Sequence, residues 1–290
     1  MNAVEATNES LGSWLENAKT KKYFYIILLL EFLTLSLFLV AYWQFAGEDF
    51  FTNAYLPDGS GTALGEQALQ AELALAPVMI VYSFAVVYLY FLIIIEALRQ
   101  FGFKAEELTL KKTIHGYMLM ALWLFAAALS WHDKKLLAIP VAIAALIILD
   151  QVLAGSPELL MLSGILTIAL IIAYALAVFR NALRLLLSYP VFFSGKKTPG
   201  ESLAQSWGMT RGKTLQIAMP FLMLLVVKIL PEWTLVYAGA ELGKFLGIST
   251  GFTALAVILQ SIPARIMSSL YAVWSNYYMV IAFRELGEKE

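Results

Sequence analysis

The sequence predicts an all-α protein that crosses a lipid bilayer several times, a polytopic transmembrane helical bundle. Three observations carry that prediction. Hydrophobic residues make up 60% of the 290 and charged residues 14%, far from the roughly 25% charged of soluble domains, and the mean hydropathy is +0.74. Several apolar runs reach the ~20 residues that a crossing helix needs. Lysine and arginine are gathered into clusters between those runs. Hydrocarbon offers the backbone no water, so each segment must satisfy its own N–H and C=O groups, which a helix does.

Composition also excludes functions. The chain has no cysteine, which removes disulfides, thiolate metal sites and cysteine nucleophiles. His115 and His132 are the only imidazoles, too few for a histidine-rich metal site. A net charge of −1 argues against nucleic acid as a partner. Phosphate-binding glycine loops with lysine and HExxH are both missing from the sequence. No enzyme, catalytic residue, cofactor or metal is therefore expected.

The elements follow in order. Residues 2–22 read as a short amphipathic cytoplasmic helix with Leu11, Trp14, Leu15 and Ala18 at helical spacing. This segment is polar and acidic before its lysines, unlike a cleavable signal peptide, so the next run is expected to stay as an anchor. Residues 23–286 then read as a single transmembrane helical domain. Its first span, 23–44, is interrupted by Glu31. An acidic loop follows, with Glu48, Asp49, Asp58, Glu66 and Glu72 and the turn PDGSG. The second span, 75–98, ends in Glu96 and Arg99. A basic loop, 99–112, leads to a third span at 113–131, where His115 sits at an ordinary interfacial position. The turn WHDKK precedes an apolar segment, 136–154, containing Pro140, and the turn AGSPEL opens a long helix over 157–188. Next comes KKTPGESLAQSWGMTRGK, in which Thr198, Pro199 and Glu201 form a helix-start signature of hydroxyl cap, proline at the first position and glutamate at the third. It predicts an amphipathic cytoplasmic helix at 198–210. A span over 214–230 contains Pro220. The last apolar region, 249–286, is too long for one straight crossing, and Pro263 is expected to divide it into an interfacial helix and a final span over 262–283.

Positive charge orients the chain. Lys19, Lys21 and Lys22, then Arg99, Lys104, Lys111 and Lys112, then Arg180, Arg184, Lys196, Lys197, Arg211 and Lys213, and finally Arg284 and Lys289 all favour the cytoplasm. The 45–74 loop has neither lysine nor arginine. All four groups share one side only if 113–154 makes one net crossing. The count therefore predicts six crossings with both termini cytoplasmic, 136–154 being re-entrant or interfacial. Lys134, Lys135 and Lys244 then lie outside, and Lys228 and Arg265 within spans.

Tyr189-Pro190, Glu201-Ser202-Leu203, Ser206-Trp207 and Thr210-Arg211-Gly212-Lys213 resemble the polytopic membrane domain attached to some glycerophosphoryl diester phosphodiesterases, and related stand-alone YciC-like membrane proteins of prokaryotes. Pro263 and Arg284 also resemble that group's closing span, although MVIAFR lacks its aromatic-plus-acid pair. The likeness covers about residues 170–286. With four residues after Leu286, no phosphodiesterase barrel is expected to follow. The resemblance implies a membrane module of a prokaryotic cell membrane and carries over no catalytic residue.

Three constellations stand out. Around the capped helix, Arg180, Arg184, Lys196, Lys197, Trp207, Arg211 and Lys213 form a collar that would bind lipid or a partner protein, or simply anchor two spans at the headgroups. The spacing of Leu203 and Trp207 would turn that apolar pair toward the membrane. Within the membrane, Glu31 needs a partner, and depth favours Arg180, with Glu96 and Arg99 nearby at the ends of their spans. That pair is either a structural ion pair or the coupling site of a small transporter or permease. Lys228, Asp150 and Arg265 read as interface anchors. Finally, Gly239, Gly243, Gly247 and Gly251 at four-residue spacing would allow close helix packing or self-association. The expected partners are membrane lipids, anionic ones included, with a protein partner or a second copy as alternatives, and the favoured reading is a non-catalytic membrane module.

Overall fold

The computed structural model describes residues 2–53, 61–128, 138–152, 157–250 and 254–287. Among them the chain is helical throughout, with short connections and no strand: α1 Ala3–Gly12, α2 Ala18–Asn53, α3 Gly61–Gln100, α4 Leu110–Ala128, α5 Ala138–Val152, α6 Pro157–Arg184, α7 Ser188–Ser194, α8 Pro199–Met209, α9 Thr214–Thr250 and α10 Ala254–Gly287. The chain packs as two compact units, Met1–Phe103 with Met219–Ile281, and Lys104–Ala218 with Ala282–Glu290.

The first unit holds α1 to α3 and most of α9 and α10. Residues 2–22 are not one helix. Asn17 leaves helical geometry, at φ −94° and ψ 108°, and its Oδ1 accepts from the N–H groups of Lys19 and Thr20, both at 3.0 Å. That is an N-cap, and it starts α2. The expected apolar row is split as a result: Trp14 is buried against Phe24, with ring centroids 5.1 Å apart, whereas Leu15 is 52% exposed.

α2 and α3 form an antiparallel hairpin. Asn17 meets Gln100, Glu31 meets Tyr82 and Tyr42 meets Glu72, so the pairing order is reversed along the chain. Ala41, Ala71 and Leu75 are buried between them under Phe38, Tyr42 and Met79; small residues let the two backbones approach. Much of the expected 45–74 loop is helical, with Glu48 and Asp49 on α2 and Glu66 and Glu72 on α3. Its Ala, Leu, Gln and Glu are good helix formers and simply extend the adjoining spans. Residues 57–60 of the PDGSG turn lie outside the described residues.

α10 continues through Pro263 and α9 through Pro220 and Pro231. The expected division at 263 is therefore absent. Proline removes the hydrogen bond to the carbonyl four residues earlier, here that of Leu259, and neighbouring helices can accommodate such a group. The neighbour is Gly239 of α9: a Cβ there would stand 2.5 Å from the Leu259 carbonyl oxygen. At least the first of the four spaced glycines thus serves packing within the chain. Gly243 is buried, and Gly251 lies outside the described residues.

The second unit contains α4 to α8. α6 ends at Arg184, four residues before its expected end, and a turn leads into the short α7 with Tyr189-Pro190 in its first turn, where proline's missing N–H costs nothing. The Tyr174 hydroxyl of α6 donates to the Ala128 carbonyl at the end of α4, at 2.8 Å. The WHDKK turn and residues 153–156 lie outside the described residues.

Four described stretches are long and apolar enough to cross a membrane: Ala18–Phe45, Leu69–Gln100, Leu160–Ser194 and Thr214–Gly243. α5 is apolar but shorter. α4 and α10, counted as crossings from sequence, fall outside this set. α4 begins with Lys111, Lys112 and His115, and α10 carries Arg265, Ser268, Ser269, Ser275 and Asn276. Large apolar side chains such as Met161, Ile168 and Leu176 on α6 and Val81 on α3 are exposed, as expected where hydrocarbon is the solvent.

Candidate functional site

The collar is built on the junction of α6 and α8. Thr198 and Glu201 form a reciprocal capping box: Thr198 Oγ1 accepts from the Glu201 N–H at 3.3 Å, and Glu201 Oε2 accepts from the Thr198 N–H at 2.8 Å. The bond from the Thr198 backbone, helped by the threonine hydroxyl, lowers the Glu201 carboxyl below its ordinary range. Gly212, φ 75°, makes the tight turn between α8 and α9; that left-handed backbone favours glycine.

The buried edge of α8 differs from the expected one. Ser202, Ser206 and Thr210, not Leu203 and Trp207, are fully buried. Ser206 Oγ and Thr210 Oγ1 each donate to the Arg184 carbonyl at 2.9 Å. Arg184 is the last residue of α6, so two hydroxyls one turn apart satisfy a terminal carbonyl that its own helix leaves open. The Arg184 guanidinium lies over the Trp207 ring, 3.6 Å from its centroid. Arg180 and Arg211 are the charges acting on it, both of like sign. No carboxylate pairs with Arg184 or Arg211 among the described residues, and Arg184 Nε is buried without a hydrogen-bond partner. Leu203 and Trp207 instead line a groove of about 420 Å³ with Leu122, Phe125 and Ala126 of α4, Leu185, Gly200 and Ala204.

The other collar residues are exposed or half-buried: Lys196, Lys197, Arg180 and Arg211 exposed, Lys213 half-buried. Lys197 bonds to Gln205. Lys112 is committed to structure. It pairs with Glu106 at 2.8 Å, donates to the Gly195 carbonyl at 3.0 Å and lies 4.0 Å over the Phe192 ring.

Glu31 lies in the middle of the apolar stretch Ala18–Phe45, and Arg265 fills the role that depth gave Arg180. Arg265 Nη1 donates to Glu31 Oε2 at 2.6 Å and to the Glu31 carbonyl at 3.1 Å. The Tyr82 hydroxyl donates to Oε1. The Glu31 side chain is 14% and the Arg265 side chain 24% exposed, so protein encloses most of both. The cavity beside the pair, about 390 Å³, is lined by Leu30, Leu33, Leu37, Pro77, Val78, Val81 and Ala85, together with the hydroxyl-bearing Thr34 and Tyr82. Nor is Lys228 a bare anchor: it pairs with Glu232 at 3.1 Å.

Glu96 anchors a second polar cluster, with Arg99 at 2.7 Å and Lys19 at 3.4 Å. Beside it, Gln100 donates to the Ser13 carbonyl at 2.9 Å and accepts from Tyr277 at 2.8 Å, and Tyr277 also meets the Thr20 hydroxyl at 3.0 Å. Sequence reasoning missed Tyr82, Gln100, Tyr277 and the Ser206–Thr210 pair. Only the last carried a readable signal, two hydroxyls one helical turn apart.

Fold and site together define an all-helical protein built for a membrane, with an arginine-rich surface beside an apolar groove. Comparison with known proteins found no matching family, no similar curated protein and no similar solved structure.

Proposed function

We propose that the protein is a non-catalytic module of the cell membrane that organises anionic lipid through the collar of Arg180, Arg184, Lys196, Lys197, Arg211 and Lys213. In this reading the chain makes six crossings with both termini cytoplasmic, as its charge distribution favours, and belongs with the YciC-like membrane domains it resembles. The observation that carries the reading is Arg184: stacked on Trp207, facing like charges and without a carboxylate partner among the described residues. A cation left unbalanced in this way is matched by an external anion. Transport through Glu31 draws less support, because Arg265 and Tyr82 engage both carboxylate oxygens and the adjoining cavity is apolar.

The test is lipid identification by mass spectrometry after purification in mild detergent. Wild type is expected to retain anionic phospholipid in excess of its share of the host membrane. Arg211→Glu with Lys213→Glu should lose that excess while keeping helicity and elution volume. Equal retention by both proteins would overturn the reading, and recovery of a stoichiometric protein partner instead of lipid would replace it.

A further inference from the structure

We propose that the groove between α4 and α8 takes one acyl chain of an anionic phospholipid whose phosphate is held by Arg184 and Arg211. The proposal rests on the lipid reading above and names its site.

Four observations converge. The groove volume of about 420 Å³ lies within the roughly 300–1,000 Å³ of ligand sites. Its lining is apolar from Leu122 to Leu203, so a free inorganic phosphate or a nucleotide would leave it unfilled. Phe125 of the lining and its neighbour Leu124 are 63% and 54% exposed, so a bilayer chain can enter from the side over their apolar surface. Trp207 ties the groove to the charge, since the same side chain lines the cavity and carries the Arg184 guanidinium.

A guanidinium stacked flat on an aromatic ring keeps its in-plane N–H donors for a ligand, and their fork matches two phosphate oxygens. A phosphate there would also relieve the repulsion that Arg180 and Arg211 exert on Arg184. Phosphate and chain must come from one molecule, because the cation and the groove meet at Trp207. That requirement selects a phospholipid over a soluble anion. Net anionic lipids are favoured over zwitterionic ones because choline adds a positive charge beside three arginines.

The test reads Trp207 by fluorescence in nanodiscs. The chain has seven tryptophans, so the Trp207 signal is the difference between wild type and Trp207→Phe. Phosphatidylglycerol brominated on its acyl chain should quench that signal at about one tenth the mole fraction needed for brominated phosphatidylcholine, the scale of one like-charge contact between choline and an arginine near the protein surface. Arg184→Gln should abolish the preference. Arg184→Lys, which keeps the charge and loses the fork, should retain part of it, and Arg211→Gln repeats the test should Arg184→Gln fail to fold. Equal quenching by the two lipids overturns the proposal, as does complete displacement by inorganic phosphate at equal concentration. If mass spectrometry still finds anionic lipid enriched while Trp207 stays unquenched, the collar reading stands and this site falls. If no anionic lipid is enriched, both fall.

Discussion

Gly239→Ala perturbs the closest backbone approach found at any described glycine. The added Cβ would lie 2.5 Å from the Leu259 oxygen, 2.9 Å from its carbon and 3.2 Å from the Gln260 nitrogen. Every obstacle is backbone, so no side chain can swing away. Restoring ordinary contact at 3.4 Å requires α9 and α10 to separate locally by about 0.9 Å, an overpacking whose cost is about 3 kcal/mol, the upper part of the usual range. Alanine recovers about 1 kcal/mol of helix propensity, which leaves a net loss of about 2 kcal/mol. For a chain of 290 residues that lowers the melting temperature by roughly 3 °C, measurable by far-UV circular dichroism in detergent. Gly164→Ala on α6, where nothing lies within 4 Å of the added carbon, is the control and should be neutral or stabilising. Pro263→Ala then tests the cause. A restored N–H at 263 draws the Leu259 carbonyl back into the ladder, and the loss from Gly239→Ala should shrink by at least about half, a coupling typical of residues in contact. If Gly239→Ala melts with Gly164→Ala, the close approach is refuted. Additive losses with Pro263→Ala would refute the proline argument alone.

Arg265→Met should destabilise the protein by about 3–5 kcal/mol by leaving the Glu31 carboxylate uncompensated, while Glu31→Leu combined with Arg265→Met should recover most of that; chemical denaturation in detergent gives both values. Tyr277→Phe removes the hydroxyl that bonds Gln100 and Thr20 and should cost about 1–3 kcal/mol, accompanied by faster hydrogen exchange over α1. The capping box predicts a pH dependence of α8. Because the folded Glu201 carboxyl is held below its ordinary range, its contribution is present above the unfolded pKa and is lost as pH falls through the lower folded one. Hydrogen exchange at residues 199–203 should rise in that acid window in wild type, and Glu201→Gln should flatten the response.

The helices were legible wherever apolar runs and cap signals agreed. Thr198, Pro199 and Glu201 predicted the start of α8 to the residue, because a capping box is a local hydrogen-bond pattern written within four residues. Prolines misled at 263, since a single chain shows the missing N–H but not the Gly239 backbone that accommodates the freed carbonyl. Leu203 and Trp207 misled in a related way. Their spacing marks a face, yet what that face meets depends on α4 lying alongside, and the Ser202–Ser206–Thr210 edge went to the end of α6 instead.

By itself the sequence determined the all-helical membrane class and the start of α8, because hydropathy and helix caps are properties of short stretches. Tertiary structure alone decided the partners: Arg265 and Tyr82 for Glu31, the two hydroxyls for the Arg184 carbonyl, Leu259 for Gly239 and Tyr277 for Gln100. Each joins groups from about 20 to more than 200 positions apart, and helix packing, which no local pattern records, brings them within hydrogen-bond or contact distance.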